Sequence, residues 1–165
     1  MDADFAGTWD KTDTDSRHTA RSRYGYIVRL FGCPILWKSS LATEISLSTT
    51  EAEYTGLSYA LRDAILIIEV LKEMKELGYP IVDAEAKIHC KVFEDNSGAV
   101  EVAREAKYRP RTKHLNCKLH HFRGYVDSGE VSIHHIATTE QPADYLTKSL
   151  PVEQFEYLRG KIMGW

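Results

Sequence analysis

The apolar stripe between Thr50 and Leu77 constrains the fold of this chain more than any other sequence feature. Its apolar residues recur at steps of three and four, which predicts a single long amphipathic α-helix. Ser48 or Thr49 is a suitable N-cap, and Gly78 followed by Pro80 is a suitable stop. The stripe consists of Tyr54, Leu57, Leu61, Ala64, Ile65, Ile68 and Leu71.

Short strand patterns lie on both sides of this helix. A hairpin is predicted before it, with strands over residues 24–31 and 34–38 and a turn at Gly32. Further strands are predicted over 88–94 and 131–136, with helices over about 97–107, 112–126 and from 139 onward, the last divided by Pro151. This order predicts a mixed α/β fold, in which strands connected through helices are parallel.

Composition excludes several classes of protein. With 43% hydrophobic residues in 165, the chain can bury the core of one domain and is not a disordered segment. A net charge of −3 argues against a general nucleic-acid binder, although residues 104–123 form a locally basic stretch. Cys33, Cys90 and Cys117 form no C-x-x-C pair, so a thiolate zinc site is not expected, and we predict Cys33 and Cys90 to be buried free thiols. No apolar run is long enough to span a bilayer, and no membrane association is expected.

Acidic residues lie where predicted elements begin or end. Two open the chain, two fall in the first turn of the long helix, two close a predicted strand, and one begins the last helical region: Asp2, Asp4, Glu51, Glu53, Glu94, Asp95 and Asp144. Converging carboxylates can hold a pair of divalent cations for phosphodiester hydrolysis. Taken singly, each except Asp95 is better explained as a helix-dipole partner or a solvated surface acid.

Several short motifs resemble the ribonuclease H domain of copia-type LTR retrotransposon Pol polyproteins, in the same order along nearly the whole chain. They are D-A-D-F-A-G at residues 2–7, R-S-R-Y-G-Y at 21–26, G-C-P-I-L-W at 32–37, L-S-T-T-E-A-E-Y at 47–54, E-D-N at 94–96, R-T-K-H at 111–114 and T-E-Q-P-A-D-Y-L-T-K at 139–148. Each motif is weak alone, whereas all of them in register are specific to that family.

The resemblance implies a ribonuclease H-like fold, with a five-stranded mixed sheet flanked by helices, over residues 1–150, and a helical tail of the same domain over 151–165. It also implies a nuclease that hydrolyses the RNA strand of RNA–DNA hybrids during reverse transcription, with two Mg²⁺ or Mn²⁺ ions. The expected partners are the hybrid and the reverse transcriptase domain of the same polyprotein, and the expected location is a cytoplasmic virus-like particle, with the nucleus as an alternative. The catalytic and metal-binding carboxylates implied by the motifs are Asp2, Glu53, Asp95 and Asp144.

Two of these assignments have a close competitor. Asp2 and Asp4 share one face of an extended segment, so Asp4 could assist or replace Asp2. Glu51 and Glu53 are roughly 200° apart around a helix and cannot reach the same point. We assign Glu53 to the site because Tyr54 and Gly56 follow it in the family's pattern, and we assign Glu51 to the helix dipole.

Two groups of residues have less specific assignments. Arg111, Lys113 and His114 could contact phosphates of the hybrid, or could form a solvated basic face with His114 turned inward. His134 and His135 are neighbours on a predicted strand, so at most one of them faces the site. A catalytic histidine is not expected.

One departure from the family affects the expected activity. Family members have an apolar strand before D-A-D, whereas only Met1 precedes Asp2 here. We therefore expect the first strand to be truncated and Asp2 to lie on a frayed terminus. The alternative function is a weakly active or inactive fragment of a degraded retrotransposon that keeps only the fold. The motifs argue against an integrase-like or transposase-like core, and the net charge argues against a plain nucleic-acid binding module.

Overall fold

A computed structural model describes residues 1–13, 15–16, 18–80, 87–104 and 121–165. These residues form a mixed α/β arrangement with two small sheets, which confirms the mixed α/β part of the predicted fold class. In chain order the elements are β1 (Asp2–Asp4), β2 (Arg23–Leu30), β3 (Cys33–Leu41), α1 (Thr49–Glu76), β4 (Cys90–Glu94), α2 (Ser97–Arg104), a helical segment α3 (121–127), β5 (Val131–His135), the 3₁₀ turns Thr138–Glu140 and Pro142–Leu146, and α4 (Val152–Met163).

Helix α1 begins and ends close to its predicted limits. The side chain of Ser48 caps it by accepting a hydrogen bond from the backbone N–H of Glu51, and Gly78 follows its end with a positive φ of 77°. The apolar stripe faces inward, since Tyr54, Leu57 and Leu61 are completely buried. The periodicity therefore predicted both the helix and the face that packs against the rest of the core.

The first sheet is antiparallel. Strands β2 and β3 form the predicted hairpin, and β1 pairs with the other edge of β2, with Asp2 opposite Gly25. Gly25 is required by close packing, because a Cβ there would lie 2.7 Å from the Cβ of Leu146 and 3.0 Å from the Cγ2 of Thr147. The 3₁₀ turn Pro142–Leu146 consequently lies directly against β2.

The second sheet consists of β4 and β5, which are parallel, as predicted for strands connected through helices. The described residues thus form sheets of three and two strands, whereas the family resemblance implied one sheet of five. The two sheets meet at β1 and β4, where the Met1 amine donates to the Phe93 carbonyl at 2.8 Å. The buried side chain of Gln141 spans this junction by donating to the Met1 carbonyl at 2.7 Å and to that of Phe93 at 3.4 Å. We call this junction of Met1, Phe93 and Gln141 the seam.

Strand β1 is only three residues long, and an apolar groove of about 730 Å³ extends from Met1 between β2 and β4. The expected fraying of Asp2 is wrong, because Asp2 is 1% exposed and its strand pairs with β2. Burial beneath the 3₁₀ turn and α1 holds this segment in place.

Helix α4 follows Pro151, as predicted, and buries Leu158 and Ile162. It packs against β3 and the turn Pro142–Leu146. Of the described cysteines, Cys90 is half-buried, whereas Cys33 is exposed at the hairpin turn, so the predicted burial of Cys33 is wrong. None of the helices in the described ranges combines the length and apolar character needed to cross a membrane.

Candidate metal centre

Three carboxylates from three separate elements converge at the seam. Asp2 lies on β1, Glu53 in the second turn of α1, and Asp95 directly after β4. Each offers an oxygen, and these oxygens all lie within 4.8 Å of one another. Asp2 and Glu53 are buried and Asp95 is half-buried, so the group opens to solvent on the Asp95 side. We call these residues the carboxylate triad.

The two glutamates near the start of α1, Glu51 and Glu53, have different roles. Glu51 accepts a hydrogen bond from the backbone N–H of Leu47 at 2.9 Å and belongs to the helix cap. Glu53 faces the core and is 5% exposed. One turn later, Gly56 allows α1 to approach β1 closely, because a Cβ there would lie 3.6 Å from the Cβ of Ala3 and 3.3 Å from that of Tyr24. Helix geometry therefore brings Glu53, and not Glu51, into the triad.

Asp4 lies outside the triad although it shares a strand face with Asp2. Its carboxylate packs over Gly7, where a Cβ would lie 1.6 Å from an Asp4 oxygen. Burial raises the pKa of Asp4, with a smaller contribution from Asp2 that is opposed by Lys148. The structure thus brings Asp2 to Glu53 and Asp95, and turns Asp4 toward the following loop.

Asp144 lies beside the triad on the turn Pro142–Leu146 and is 3% exposed. The ammonium of Lys148 lies 3.1 Å from Asp144 Oδ2 and 3.7 Å from Asp2 Oδ1. The Thr147 hydroxyl donates to Asp2 Oδ2 and contacts the Asp144 carbonyl at 3.0 Å. Asp144 is therefore connected to Asp2 of the triad through Thr147 and Lys148, the two residues that follow its turn.

Glu94 is a fifth carboxylate that the sequence did not assign to the site. It is completely buried at the end of β4, and its Oε1 accepts a hydrogen bond from the backbone N–H of Asn96 at 3.0 Å. This bond stabilises the turn that presents Asp95. The family motif E-D-N contains Glu94, but only the fold places its side chain close enough to influence Glu53.

Burial and mutual repulsion raise the pKa values of these acids. Burial raises the pKa of Glu53 to about 10, and the charges of three neighbouring carboxylates add to the rise. Burial raises the pKa of Glu94 to about 7, although the amino terminus and the Asn96 N–H oppose the change. The pKa of Asp144 rises to about 6 through burial and through Asp2, against the effect of Lys148. The group is therefore partly protonated at neutral pH in the absence of another cation.

The donor atoms fit a hard divalent cation. Carboxylate oxygens are the ligands preferred by Mg²⁺ and Mn²⁺. In the described part of the chain, Glu53 Oε2 and Asp144 Oδ1 are buried without a hydrogen-bond partner, and buried polar atoms rarely remain so. A metal ion bound by the triad would satisfy Glu53 and relieve the repulsion that raises its pKa.

The two strand histidines have different surroundings. His135 Nε2 lies 3.0 Å from the backbone carbonyl of Asp95, at the edge of the site. His134 lies against Phe93, with ring centroids 5.8 Å apart, and its Nε2 lies 2.8 Å from the Ser132 hydroxyl. Only His135 is adjacent to a member of the triad, in agreement with the alternation of side chains along a strand.

The predicted phosphate-contacting residues Arg111, Lys113 and His114 lie outside the described residues. Gln141, which joins the two sheets at the seam, had no predicted role. Its only sequence signal was its place in the motif of residues 139–148.

Over almost its whole length, the chain is similar to polyproteins of plant transposons. It is 34% identical to the retrovirus-related Pol polyprotein from transposon TNT 1-94 of Nicotiana tabacum over 155 aligned residues. The alignment covers 94% of this chain and 10% of that protein. Two further retrovirus-related Pol polyproteins of plants show similarity of the same extent. Those from transposons RE2 and RE1 of Arabidopsis thaliana are 34% and 35% identical over 162 residues, covering 98% of this chain and 10% of each relative.

These similarities support the retrotransposon part of the resemblance. The chain spans about a tenth of the length of these Pol polyproteins. No family model matches it, and no solved structure matches it.

Proposed function

We propose that this chain is the ribonuclease H domain of a copia-type retrotransposon Pol polyprotein and hydrolyses the RNA strand of RNA–DNA hybrids. The observation that carries the proposal is the convergence of Asp2, Glu53 and Asp95 from β1, α1 and the end of β4. Similarity to Pol polyproteins over 94% of the chain supports a role in retrotransposition.

The triad would hold one Mg²⁺ or Mn²⁺ ion, and Asp144 with Asp2 would complete the position of a second. Bound there, the ions would supply Lewis-acid stabilisation of the attacking water and of the leaving oxygen in a phosphodiester displacement. The protein's own contribution is to fix the ligands. Asp2 is held by β1 pairing and by Thr147, and Asp95 by the turn that Glu94 stabilises.

The fold supports the same proposal less directly. Strands β3, β2, β1, β4 and β5 follow one another across the seam, and they would form a five-stranded mixed sheet if β1 were extended into the apolar groove. We propose that polymerase-derived residues preceding Met1 in a polyprotein supply this extension. Arg111, Lys113 and His114 would then contact hybrid phosphates, with the reverse transcriptase domain as a covalent neighbour in a cytoplasmic particle.

The test is magnesium-dependent cleavage of an RNA–DNA hybrid labelled on the RNA strand. We expect cleavage by the wild-type chain and a loss of at least 100-fold in Asp95→Asn, because the triad loses a charged ligand. The matched control is Asp127→Asn, the same substitution at an acid whose side chain is 70% exposed, away from the site. This control should retain wild-type activity.

The alternative is a fragment that keeps the fold without activity. It is favoured by the short β1, since metal ligands must be held within about half an ångström for catalysis. A wild-type chain that is folded by circular dichroism but cleaves neither alone nor with an apolar N-terminal extension would establish this alternative and refute the proposed activity.

A further inference from the structure

Lys148 places a positive charge where Asp2 and Asp144 face each other. Its Nζ lies 3.1 Å from Asp144 Oδ2 and 3.7 Å from Asp2 Oδ1. The two carboxylate side chains are 2% and 4% exposed, whereas the Lys148 side chain is 35% exposed. The lysine therefore reaches in from the solvent side and lies over two buried acids.

Asp144 lies outside the triad and is paired with Lys148, which it shares with Asp2. The oxygens of Asp2, Glu53 and Asp95 lie within 4.8 Å of one another, and Asp144 is not part of that group. One oxygen of Asp144 is paired with Lys148, and its other oxygen, Oδ1, is buried without a partner. The triad therefore offers carboxylate ligands for one ion, whereas the neighbouring pair of Asp2 and Asp144 already has a counter-ion in Lys148.

A divalent ion bridging Asp2 and Asp144 would lie close to the present position of the Lys148 ammonium. Two cations a few ångströms apart repel strongly where water is largely excluded. The lysine and a second ion therefore compete for the same carboxylates. Because the Lys148 side chain is long and partly exposed, it can leave the two carboxylates without unfolding of the backbone that carries it.

We propose that the Lys148 ammonium occupies the second cation position, beside Asp2 and Asp144, in the hybrid-free protein. The free chain then binds one divalent ion, at the triad. It binds a second ion at Asp144 only after a nucleic-acid phosphate has drawn Lys148 away. The phosphate step rests on the proposed function, whereas the count of ions in the free chain does not. A phosphate oxygen is a suitable acceptor for the released ammonium, because charge-assisted hydrogen bonds to phosphate are strong.

Equilibrium binding of Mn²⁺, followed by the electron paramagnetic resonance of the free ion, tests the count directly and needs no catalysis. We expect one ion per wild-type chain at submillimolar Mn²⁺ and two per Lys148→Gln chain, with the second ion bound at least tenfold more tightly than in wild type. Lys148→Arg keeps a cation at this position and should bind one ion. The matched control Lys91→Gln removes the same charge from an exposed residue of β4 and should also bind one ion.

Two results would overturn the proposal. The first is the finding that the hybrid-free wild-type chain binds two ions with similar affinity. This measurement remains decisive even if Lys148→Gln fails to fold. The other is a folded Lys148→Gln chain with the same count and affinity as wild type.

A hybrid with a 2′-O-methyl RNA strand, which resists hydrolysis, tests the phosphate step. Addition of this hybrid should raise the wild-type count from one to two, and an unchanged count would refute that step. The proposed nuclease function fails separately, through absence of cleavage by a chain that still binds its first Mn²⁺ ion.

Discussion

The buried carboxylates predict that the metal-free protein becomes less stable as pH rises from 5 to 7. Burial raises the pKa of Glu94 from its ordinary value of 4.5 to about 7 in the folded chain, and it raises the pKa of Glu53 further. A raised carboxyl pKa means that the folded state retains a proton that the unfolded state releases. The stabilisation is complete below pH 4.5 and is lost as pH rises through the folded-state value.

The size of the effect follows from proton linkage. Each proton retained by the folded state lowers the free energy of unfolding by about 1.4 kcal/mol per pH unit. Integrated from pH 5 to pH 7, one such carboxyl therefore costs about 2 kcal/mol, because the folded state has released half of its proton at pH 7, and this corresponds to a fall in Tm of about 4 to 8 °C for a domain of this size. Glu53 adds to this loss in the same direction.

Thermal denaturation by circular dichroism at pH 5, 6 and 7, in EDTA and in 10 mM Mg²⁺, measures this effect. The comparison is with Glu53→Gln/Glu94→Gln, which keeps every histidine but removes both carboxyls. We expect the wild-type Tm to fall with pH in EDTA, and the variant to change much less. Mg²⁺ should flatten the wild-type curve, because bound metal replaces the retained protons. Equal pH slopes for the two chains in EDTA would refute the argument.

Three further predictions concern packing around the site. Leu57→Ala, at a completely buried position of α1, should lower the free energy of unfolding in urea by about 2 to 5 kcal/mol, and an unchanged urea midpoint would contradict the assigned core. Gly25→Ala places a Cβ 2.7 Å from Leu146 Cβ, so it should cost about 1 to 3 kcal/mol. Because Gly25 lies opposite Asp2 in the sheet, the substitution should also weaken Mn²⁺ binding at the triad, and urea titration and metal titration measure the two effects. Fusing about eight apolar, β-branched residues before Met1 should fill the groove and raise Tm by several degrees, whereas a Gly/Ser extension of equal length should not.

Local patterns were sufficient to predict most of the secondary structure. The limits of α1 followed from its apolar period, the Ser48 cap and the Gly78 stop, all of which act within one or two turns of the chain. The hairpin and the parallel β4–β5 pair followed in the same way. The 3₁₀ geometry of Pro142–Leu146 was not predicted, because it depends on packing against Gly25, a residue more than 100 positions earlier.

Only part of the candidate site could be predicted from the sequence. Motif similarity selected Asp2, Glu53, Asp95 and Asp144, and helix geometry separated Glu53 from Glu51. Glu94 and Lys148 lie within the same motifs, but their importance depends on partners from other elements. The role of Lys148 depends on the tertiary fold, which places its ammonium beside Asp2, and no spacing rule predicts this contact. Burial of Cys33 was predicted wrongly because hydrophobicity alone does not distinguish a core position from a hairpin turn.

Because the acids lie at the seam, their ability to bind metal depends on how well β1 and β4 pair there. At the junction of β1 and β4, the Met1 amine and the Gln141 side chain replace the ladder of a continuous sheet. The same junction brings Asp2 beside the turn that holds Asp95, so any change that strengthens β1–β4 pairing also fixes the distance between two triad members. A strand that fills the adjoining groove should therefore increase metal affinity together with stability. A rise in Tm without tighter Mn²⁺ binding would mean that the triad is positioned by α1 and the 3₁₀ turn, independently of the sheet.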